Sequence, residues 1–174
     1  GEVLRYSSAG VLDADYHFVA NLNSGYTLNT LTWYHVALIR NTGVSQLYVN
    51  AAAQGGTIAN APNGGNDWIT LGSEQDNAGT NSQFANCILD DVRFYERAIS
   101  TGELTTLYNN AFVYPLTDIS NTNLYEWYTL DESSGNPADS SGGGRNLTAT
   151  GTPIYVTGKV PNGNSAYKPG SLLH

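Results

Sequence analysis

Two stretches decide the fold of this chain: WYHVALIR at Trp33–Arg40 and ILDDVRFY at Ile88–Tyr95. The first opens on a tryptophan, and its segment Val36–Ile39 is apolar on both faces, which is typical of a central β-strand. The second predicts a strand with two adjacent carboxylates in its middle, Asp90 and Asp91. Both patterns indicate a β-protein whose sheets bury a shared core.

The flanking sequence extends this pattern. From Val11 to Val19 apolar residues alternate with polar ones, which predicts a half-buried antiparallel strand. The turn Asn41–Thr42–Gly43 predicts a hairpin, and residues 73–83 carry no regular pattern, which predicts a loop. Ser100 and Glu103 have capping-box spacing. We therefore predict an all-β, two-sheet antiparallel jelly-roll sandwich with one short helix near residues 101–108.

Composition limits the function classes. The 174 residues suit one domain, and the net charge of −8 with a pI of about 4.5 disfavours nucleic acid and anionic membrane surfaces. No run of about 18 apolar residues is present, so we predict no membrane insertion. The single cysteine, Cys87, is predicted to be a small packing residue. The start at Gly1, without a basic and apolar leader, indicates a mature or excised fragment.

The order of the motifs is unusual. WYHVALIR, QLYVN, WITLGS, ILDDVRFYERAIS and GELTTLY resemble the laminin G-like branch of the concanavalin A-like lectin/glucanase superfamily over residues 30–108. The opening of that family resembles residues 124–160, with DESSG, ADSSGGGRNLTATG and PIYVTGKV, and here it follows the segment that normally ends the domain. The resemblance implies a sandwich body at residues 1–113, a connector at 114–121, and strands at 122–174 that complete this sandwich or a neighbouring one. A slice through two tandem copies is the alternative.

No catalytic pattern stands out. Asp13, Asp15 and His17 share one strand face because side chains alternate with period two. Glucanases of the superfamily carry two glutamates and an aspartate on alternate positions, which this stretch lacks. We therefore predict a non-catalytic protein.

A calcium site is a second possibility for the acidic residues. Asp90 and Asp91 are predicted to point to opposite strand faces, and an ion pair of Asp91 with Arg93 is the alternative to a metal. The resemblance implies a structural Ca²⁺ on a glycine-rich loop, and Ca²⁺ prefers carboxylate and carbonyl oxygens. The candidate metal ligands are Asp91, Asp90, Asp139, Ser141 and Gly144.

Sugar sites combine an aromatic surface with a few amides and carboxylates. Trp68 beside Asp67 and Asn66 has this composition, as does Tyr26 beside Asn23. The acidic strand face with Asp13, Asp15 and His17 could also contact a ligand. The predicted ligand-binding residues are therefore Trp68, Asp67, Asn66, Tyr26, Asn23, Asp13, Asp15 and His17. Trp33 and Trp127 are predicted to be packing residues.

These observations predict a non-catalytic β-sandwich that binds a glycan or surface polysaccharide and acts in adhesion. It would be extracellular, on a cell surface, or on a virion, because phage tail and capsid-associated proteins use modules similar to WYHVALIR. The alternative is a structural array, filament or capsid/tail module that assembles with neighbouring copies by strand exchange.

Overall fold

The fold is all-β with antiparallel pairing, as predicted. The computed structural model describes residues 3–16, 20–59, 69–75, 81–82, 85–110, 119–149, 154–159 and 166–168. Every strand pair in these ranges is antiparallel, and they contain one α-helix. The chain divides into two compact units: unit 1 is Gly1–Asp67 with Arg97–Asn109, and unit 2 is Trp68–Glu96 with Asn110–His174.

The first sheet of unit 1 places apolar residues on one face and polar residues on the other. Leu12, Ala14 and Leu22 are buried on the inner face, which confirms the alternation predicted for the strand that begins at Val11. The other two strands of this sheet are not among the sequence-based predictions. In order, the sheet comprises β1 (Val3–Tyr6), β2 (Val11–Tyr16) and β3 (Ala20–Thr27).

The second sheet contains the predicted hairpin. Asn41 pairs with Val44 across a two-residue turn in which Thr42 and Gly43 both have positive φ, the backbone that matches the twist of paired strands. The strand predicted to be central is outermost among the described strands of this sheet. In order, the sheet comprises β4 (Val36–Asn41), β5 (Val44–Val49) and β6 (Ala52–Ala59).

The two sheets of unit 1 share a core, which makes this unit a sandwich. Leu47 and Val49 of β5 are fully buried and cluster with the three buried residues of the first sheet. Half-buried side chains close the cluster around them: Tyr26, Leu28, Tyr34, Val36, Leu38 and Ile58. Burial of these side chains, at about 25 cal/mol per Å² of apolar surface, is the main force that holds the sheets together.

The helix α1 (Thr101–Asn110) begins where the sequence predicts it. Ser100 accepts a hydrogen bond from the Glu103 amide at 3.2 Å, and the Glu103 carboxylate accepts one from the Ser100 amide at 2.8 Å. Hydrogen bonds from Arg97 and Ser100 lower the pKa of Glu103 to about 2. Leu104 and Leu107 are buried on the inner side of the helix.

Unit 2 is built from short strand pairs. Residues 73–83, which are predicted to form a loop, contain a pair of two-residue strands. Of the strand predicted over residues 86–95, only the last four residues form a strand. A left-handed backbone at Asp91 (φ 48°) stops the strand there. In chain order the strands are β7 (Glu74–Gln75), β8 (Asn81–Ser82), β9 (Val92–Tyr95), β10 (Leu124–Tyr128), β11 (Ile154–Val156) and β12 (Ala166–Lys168). They pair as β7–β8, β9–β10 and β11–β12.

The pairing of β9 with β10 joins the segment before the helix to the segment after it. A strand of the segment 122–174 thus pairs with a strand of the segment 1–113. That residues 122–174 complete a sandwich stays a prediction. The core of unit 2 gathers around Leu71, Tyr128, Leu130 and Leu147. In the same unit, burial raises the pKa of the Cys87 thiol to about 11, which disfavours the reactive thiolate at neutral pH.

The core face of β10 also carries a carboxyl group. Glu126 lies two residues before Tyr128 on the strand, so the two side chains share a face, and Glu126 is only 5% exposed. Its Oε2 atom is buried and has no hydrogen-bond partner among the residues that the structure describes. Burial raises the pKa of Glu126, and the neighbouring Tyr128 and Asp139 modulate that shift.

We expect the Glu126→Gln variant to be more stable than the wild type at pH 8 by about 1–2 kcal/mol, and equally stable near pH 4. The folded state binds this proton more tightly than the unfolded chain, so wild-type stability falls as pH rises through the raised pKa. Urea unfolding followed by tryptophan fluorescence measures the difference. Glu96→Gln, at an exposed position, is the control. An equal gain at both pH values would contradict the proton linkage.

Candidate functional site

The outer face of the first sheet carries a cluster of charged side chains. Arg5 on β1 pairs with Asp13 through Nε and Oδ1 at 2.8 Å, and with Asp15 through Nη1 and Oδ2 at 2.9 Å. The register aligns them, since Arg5 lies opposite Asp13. The side chains of Arg5 and Asp15 are about one-third exposed, whereas that of Asp13 is 9% exposed. One guanidinium thus holds two carboxylates in fixed positions at the surface.

The neighbouring strand extends this face with an amide. Asn23 of β3 lies opposite Asp13 and therefore on the same face. Between Asn23 and Thr27 the strand carries two more residues than its partner, which forms a bulge. The Asn23 Oδ1 atom accepts a hydrogen bond from the Gly25 amide at 2.7 Å, and Ser24 donates one to the Leu12 carbonyl at 2.5 Å. These bonds fix the shape of the bulge beside the charged cluster. Bulges are frequent next to functional sites, where they reorient side chains.

A glycine of the second sheet supports the bulge from the other side. β6 has its own register shift, and Gly55 lies within it with φ 67°. A Cβ atom at Gly55 would overlap the carbonyl oxygen of Asn23 and lie 3.0 Å from the Ser24 Cα atom. The two backbones can therefore meet only because this position has no side chain. We name the surface formed by Arg5, Asp13, Asp15 and Asn23 the polar face.

The structure separates the predicted sugar-binding residues into two groups. Asp13, Asp15 and Asn23 come together on the polar face. Tyr26 is half-buried, packs on the unit 1 core, and meets Tyr34 edge-to-face with ring centroids 5.9 Å apart. The other predicted members lie outside the described residues: Trp68, Asp67, Asn66 and His17.

Sequence reasoning missed Arg5 and misplaced Trp33. A lone arginine in a short strand carries no motif, and only the strand register shows that it reaches Asp13 and Asp15. Trp33, predicted as a packing residue, is 36% exposed, and Leu31 in the same turn is fully exposed with φ 58°. The Asn29 amide donates to the Tyr34 hydroxyl at 3.1 Å across this turn.

Asp91, one of the predicted metal ligands, forms an ion pair with Arg93. Its Oδ1 atom accepts hydrogen bonds from Arg93 Nε at 3.0 Å and from Trp127 Nε1 at 2.7 Å. The Arg93 guanidinium also lies over the Trp127 ring, 4.6 Å from its centroid. Asp90 Oδ2 accepts a hydrogen bond from the Lys159 amide at 2.6 Å. The ion pair posed as the alternative to a metal is therefore present.

The other predicted calcium ligands lie in the glycine-rich loop after β10. Asp139 Oδ1 accepts hydrogen bonds from the amides of Trp127 at 3.1 Å and Ser141 at 2.9 Å, and its Oδ2 accepts one from the Arg145 amide at 3.1 Å. Although burial acts to raise the pKa of Asp139, these bonds prevail and lower it to about 2. Gly144 has φ 70°. Across the described ranges, no group of three or more His, Cys, Asp or Glu side chains has a geometry that could hold a metal ion.

The carboxylate oxygens of Asp139 do not fit Ca²⁺ as they stand. A calcium ion requires six to eight oxygen ligands with lone pairs directed at it. Here the three described contacts of the carboxylate are amide donors. Three hydrogen bonds occupy most of the lone pairs of this carboxylate, so it has little capacity left to ligate a cation.

The comparison with known families agrees with this fold. The family model described as the concanavalin A-like lectin/glucanases superfamily, of laminin G type, matches residues 5–105, which include the polar face, nearly all of both sheets of unit 1 and the first half of the helix. Searches of the curated proteins and of the solved structures gave no match. This chain belongs to the laminin G-like family of the concanavalin A-like lectin/glucanase superfamily.

Proposed function

We propose that this protein is a non-catalytic glycan-binding module that acts in adhesion and contacts sugar hydroxyls through the polar face. The superfamily that the chain belongs to suggests carbohydrate binding or an adhesion-type function. The single observation that carries the proposal is the pairing of the buried Asp13 and the partly exposed Asp15 with one guanidinium, that of Arg5. Neighbouring hydroxyls of a sugar need acceptors and donors in fixed positions; the two carboxylates supply the acceptors, and the Asn23 amide opposite Asp13 supplies a donor.

The chemistry of the pair suits a neutral, polyhydroxylated ligand. The carboxylates of Asp13 and Asp15 have oxygen lone pairs beyond those that Arg5 occupies. The amide of Asn23 adds a donor beside them. Because the side chains are already held by one another and by the bulge, binding costs little additional side-chain entropy.

The same contacts favour binding over hydrolysis. Glycoside hydrolases need one carboxyl group to act as an acid and a second to act as a nucleophile or base. On the polar face Asp13 and Asp15 both engage one guanidinium, and the described part of this sheet contains no glutamate. We therefore propose that a bound glycan is held without cleavage.

The test is a glycan array, followed by titration of the best ligand. We expect Asp15→Asn and Arg5→Lys each to weaken binding at least about tenfold, which corresponds to about 1.4 kcal/mol. Arg40→Lys and Glu96→Gln, outside the polar face, should bind like the wild type. A glycan that binds all five proteins equally would exclude the polar face as the site. An array without any hit would contradict glycan binding itself.

The location of the protein is part of the proposal. Laminin G-like domains are typically extracellular, and we propose display on a cell surface or a virion. Within the described residues, no helix is long and apolar enough to span a membrane.

One observation favours a second candidate function, a structural module that assembles through its strands. Among the described strands β1 pairs with β2 alone, and its Leu4 and Tyr6 side chains are 40% and 37% exposed. An open apolar edge can pair with a strand of another copy. Light scattering over a dilution series separates the two candidates, because an assembly built by strand exchange would not fall to monomers on dilution.

A further inference from the structure

The loop that would hold calcium in the resemblance contains a cation of its own. Arg145 follows the glycines of this loop, and its guanidinium lies over the Tyr125 ring with Cζ 3.9 Å from the ring centroid. Its Nη1 atom donates to the Tyr125 carbonyl at 3.2 Å, and its backbone amide donates to Asp139 Oδ2. One residue therefore ties the loop to β10 by side chain and to the carboxylate by backbone.

The glycine at position 143 makes room for that guanidinium. A Cβ atom there would overlap Arg145 Nη1 and lie 3.1 Å from Asp139 Oδ2. Both the cationic and the anionic group thus crowd the same side of Gly143. The absence of a side chain at this position lets the guanidinium lie against the loop backbone.

The remaining oxygen ligands of the predicted calcium site are also engaged. Ser141 Oγ donates to the Tyr125 carbonyl at 3.0 Å and accepts the Gly143 amide at 3.2 Å. The carbonyl oxygen of Tyr125 therefore accepts hydrogen bonds from both Ser141 and Arg145. The side-chain oxygens of Asp139 and Ser141, and the carbonyl of Tyr125, are therefore all committed to hydrogen bonds within the loop.

We propose that the guanidinium of Arg145 is the structural cation of the loop 139–145, and that this loop folds and holds its shape without calcium. Arg145 supplies positive charge beside Asp139, planar contact with Tyr125 and a bond to its carbonyl. A divalent ion at the same place would have to displace these contacts. The proposal concerns unit 2 and does not depend on glycan binding by the polar face.

Thermal unfolding in excess Ca²⁺ and in excess EDTA tests the proposal on the full chain. We expect the wild type to unfold at the same temperature in both. Arg145→Met, which keeps length but removes charge, should lower the midpoint by about 3–6 °C in both media. Arg145→Lys should recover part of the loss, because it retains charge but lacks the planar group. Arg40→Met, on β4 of unit 1, is the control.

A second measurement keeps the test decisive if Arg145→Met does not fold. Tb³⁺ replaces Ca²⁺ and luminesces when a nearby tyrosine or tryptophan absorbs light, so Tyr125 and Trp127 would report an ion bound at Asp139. We expect no saturable signal from the wild type. A saturable signal that Ca²⁺ displaces and Asp139→Asn abolishes would overturn the proposal. An Arg145→Met variant as stable as the wild type would overturn it as well.

Discussion

Gly55→Ala is expected to destabilise unit 1 by about 3 kcal/mol or more. The new methyl group would overlap the carbonyl oxygen of Asn23, and φ at Gly55 is 67°, which disfavours any residue with a side chain. The overlap is with backbone, so no side-chain rotation can relieve it. Urea unfolding measures the loss, which arises where β6 approaches the bulge of β3.

The adjacent glycine is a matched control. Gly56 lies in the same strand, has no atom within 4 Å of the Cβ position, and does not have positive φ. Gly56→Ala should therefore change stability by less than about 1 kcal/mol. Equal losses at the two positions would show that glycine flexibility, and not the close approach to Asn23, explains the effect. Because Asn23 belongs to the polar face, Gly55→Ala should also weaken glycan binding where the protein still folds.

Asp139→Asn should destabilise unit 2 by about 2–3 kcal/mol at neutral pH. The variant has one acceptor oxygen instead of two, so the amide of Arg145 would face an NH₂ group. It also lacks the charge that strengthens the bonds from Trp127 and Ser141. Chemical unfolding at pH 7, followed by tryptophan fluorescence, measures the difference.

The pH dependence of that difference gives a second readout. The folded pKa of Asp139 is about 2, below the ordinary value of 3.8, so its contribution is complete above about pH 4 and is lost as pH falls through 2. Wild type and variant should converge over that range. Burial raises the pKa of Asp131 in the same unit, so the matched variant Asp131→Asn should leave stability unchanged or raise it at pH 7. A penalty at Asp139 that persisted at pH 2 would contradict the charge-based explanation.

Local features of the fold could be predicted from the sequence because they depend on near neighbours. The hairpin follows from the turn Asn41–Thr42–Gly43, in which glycine readily accepts positive φ. The helix start follows from Ser100 and Glu103, which cap each other. The alternation around Ala14 follows from the period of a strand with one buried face.

Features set by distant contacts could not be predicted. Asp91 adopts positive φ although its sequence resembles a strand interior, and its hydrogen bond to Trp127 spans 36 positions of the chain. Val36–Ile39 lies in a strand with one neighbour among the described strands, although the segment is apolar on both faces; Val36 and Leu38 pack on the unit 1 core. Neither contact leaves a local pattern.

The candidate site shows the same division. Asp13 and Asp15 share a face by strand period alone, and Asn23 was identified from its chemistry. Arg5, which organises them, becomes visible only from the register between β1 and β2. The family resemblance implies Asp139 as a calcium ligand, whereas the amide donors around it depend on how the loop folds.

The pairing of β9 with β10 sets a schedule for biosynthesis. Phe94 lies opposite Glu126, so the later strand leaves the ribosome 32 residues after the earlier one, a delay of roughly 2–6 s at usual translation speeds of ~5–20 residues per second. Because β10 is the one partner of β9 among the described strands, during this interval Val92 and Phe94 lack that partner. A nascent chain that stalls there would present an unpaired apolar segment to chaperones and to other nascent chains.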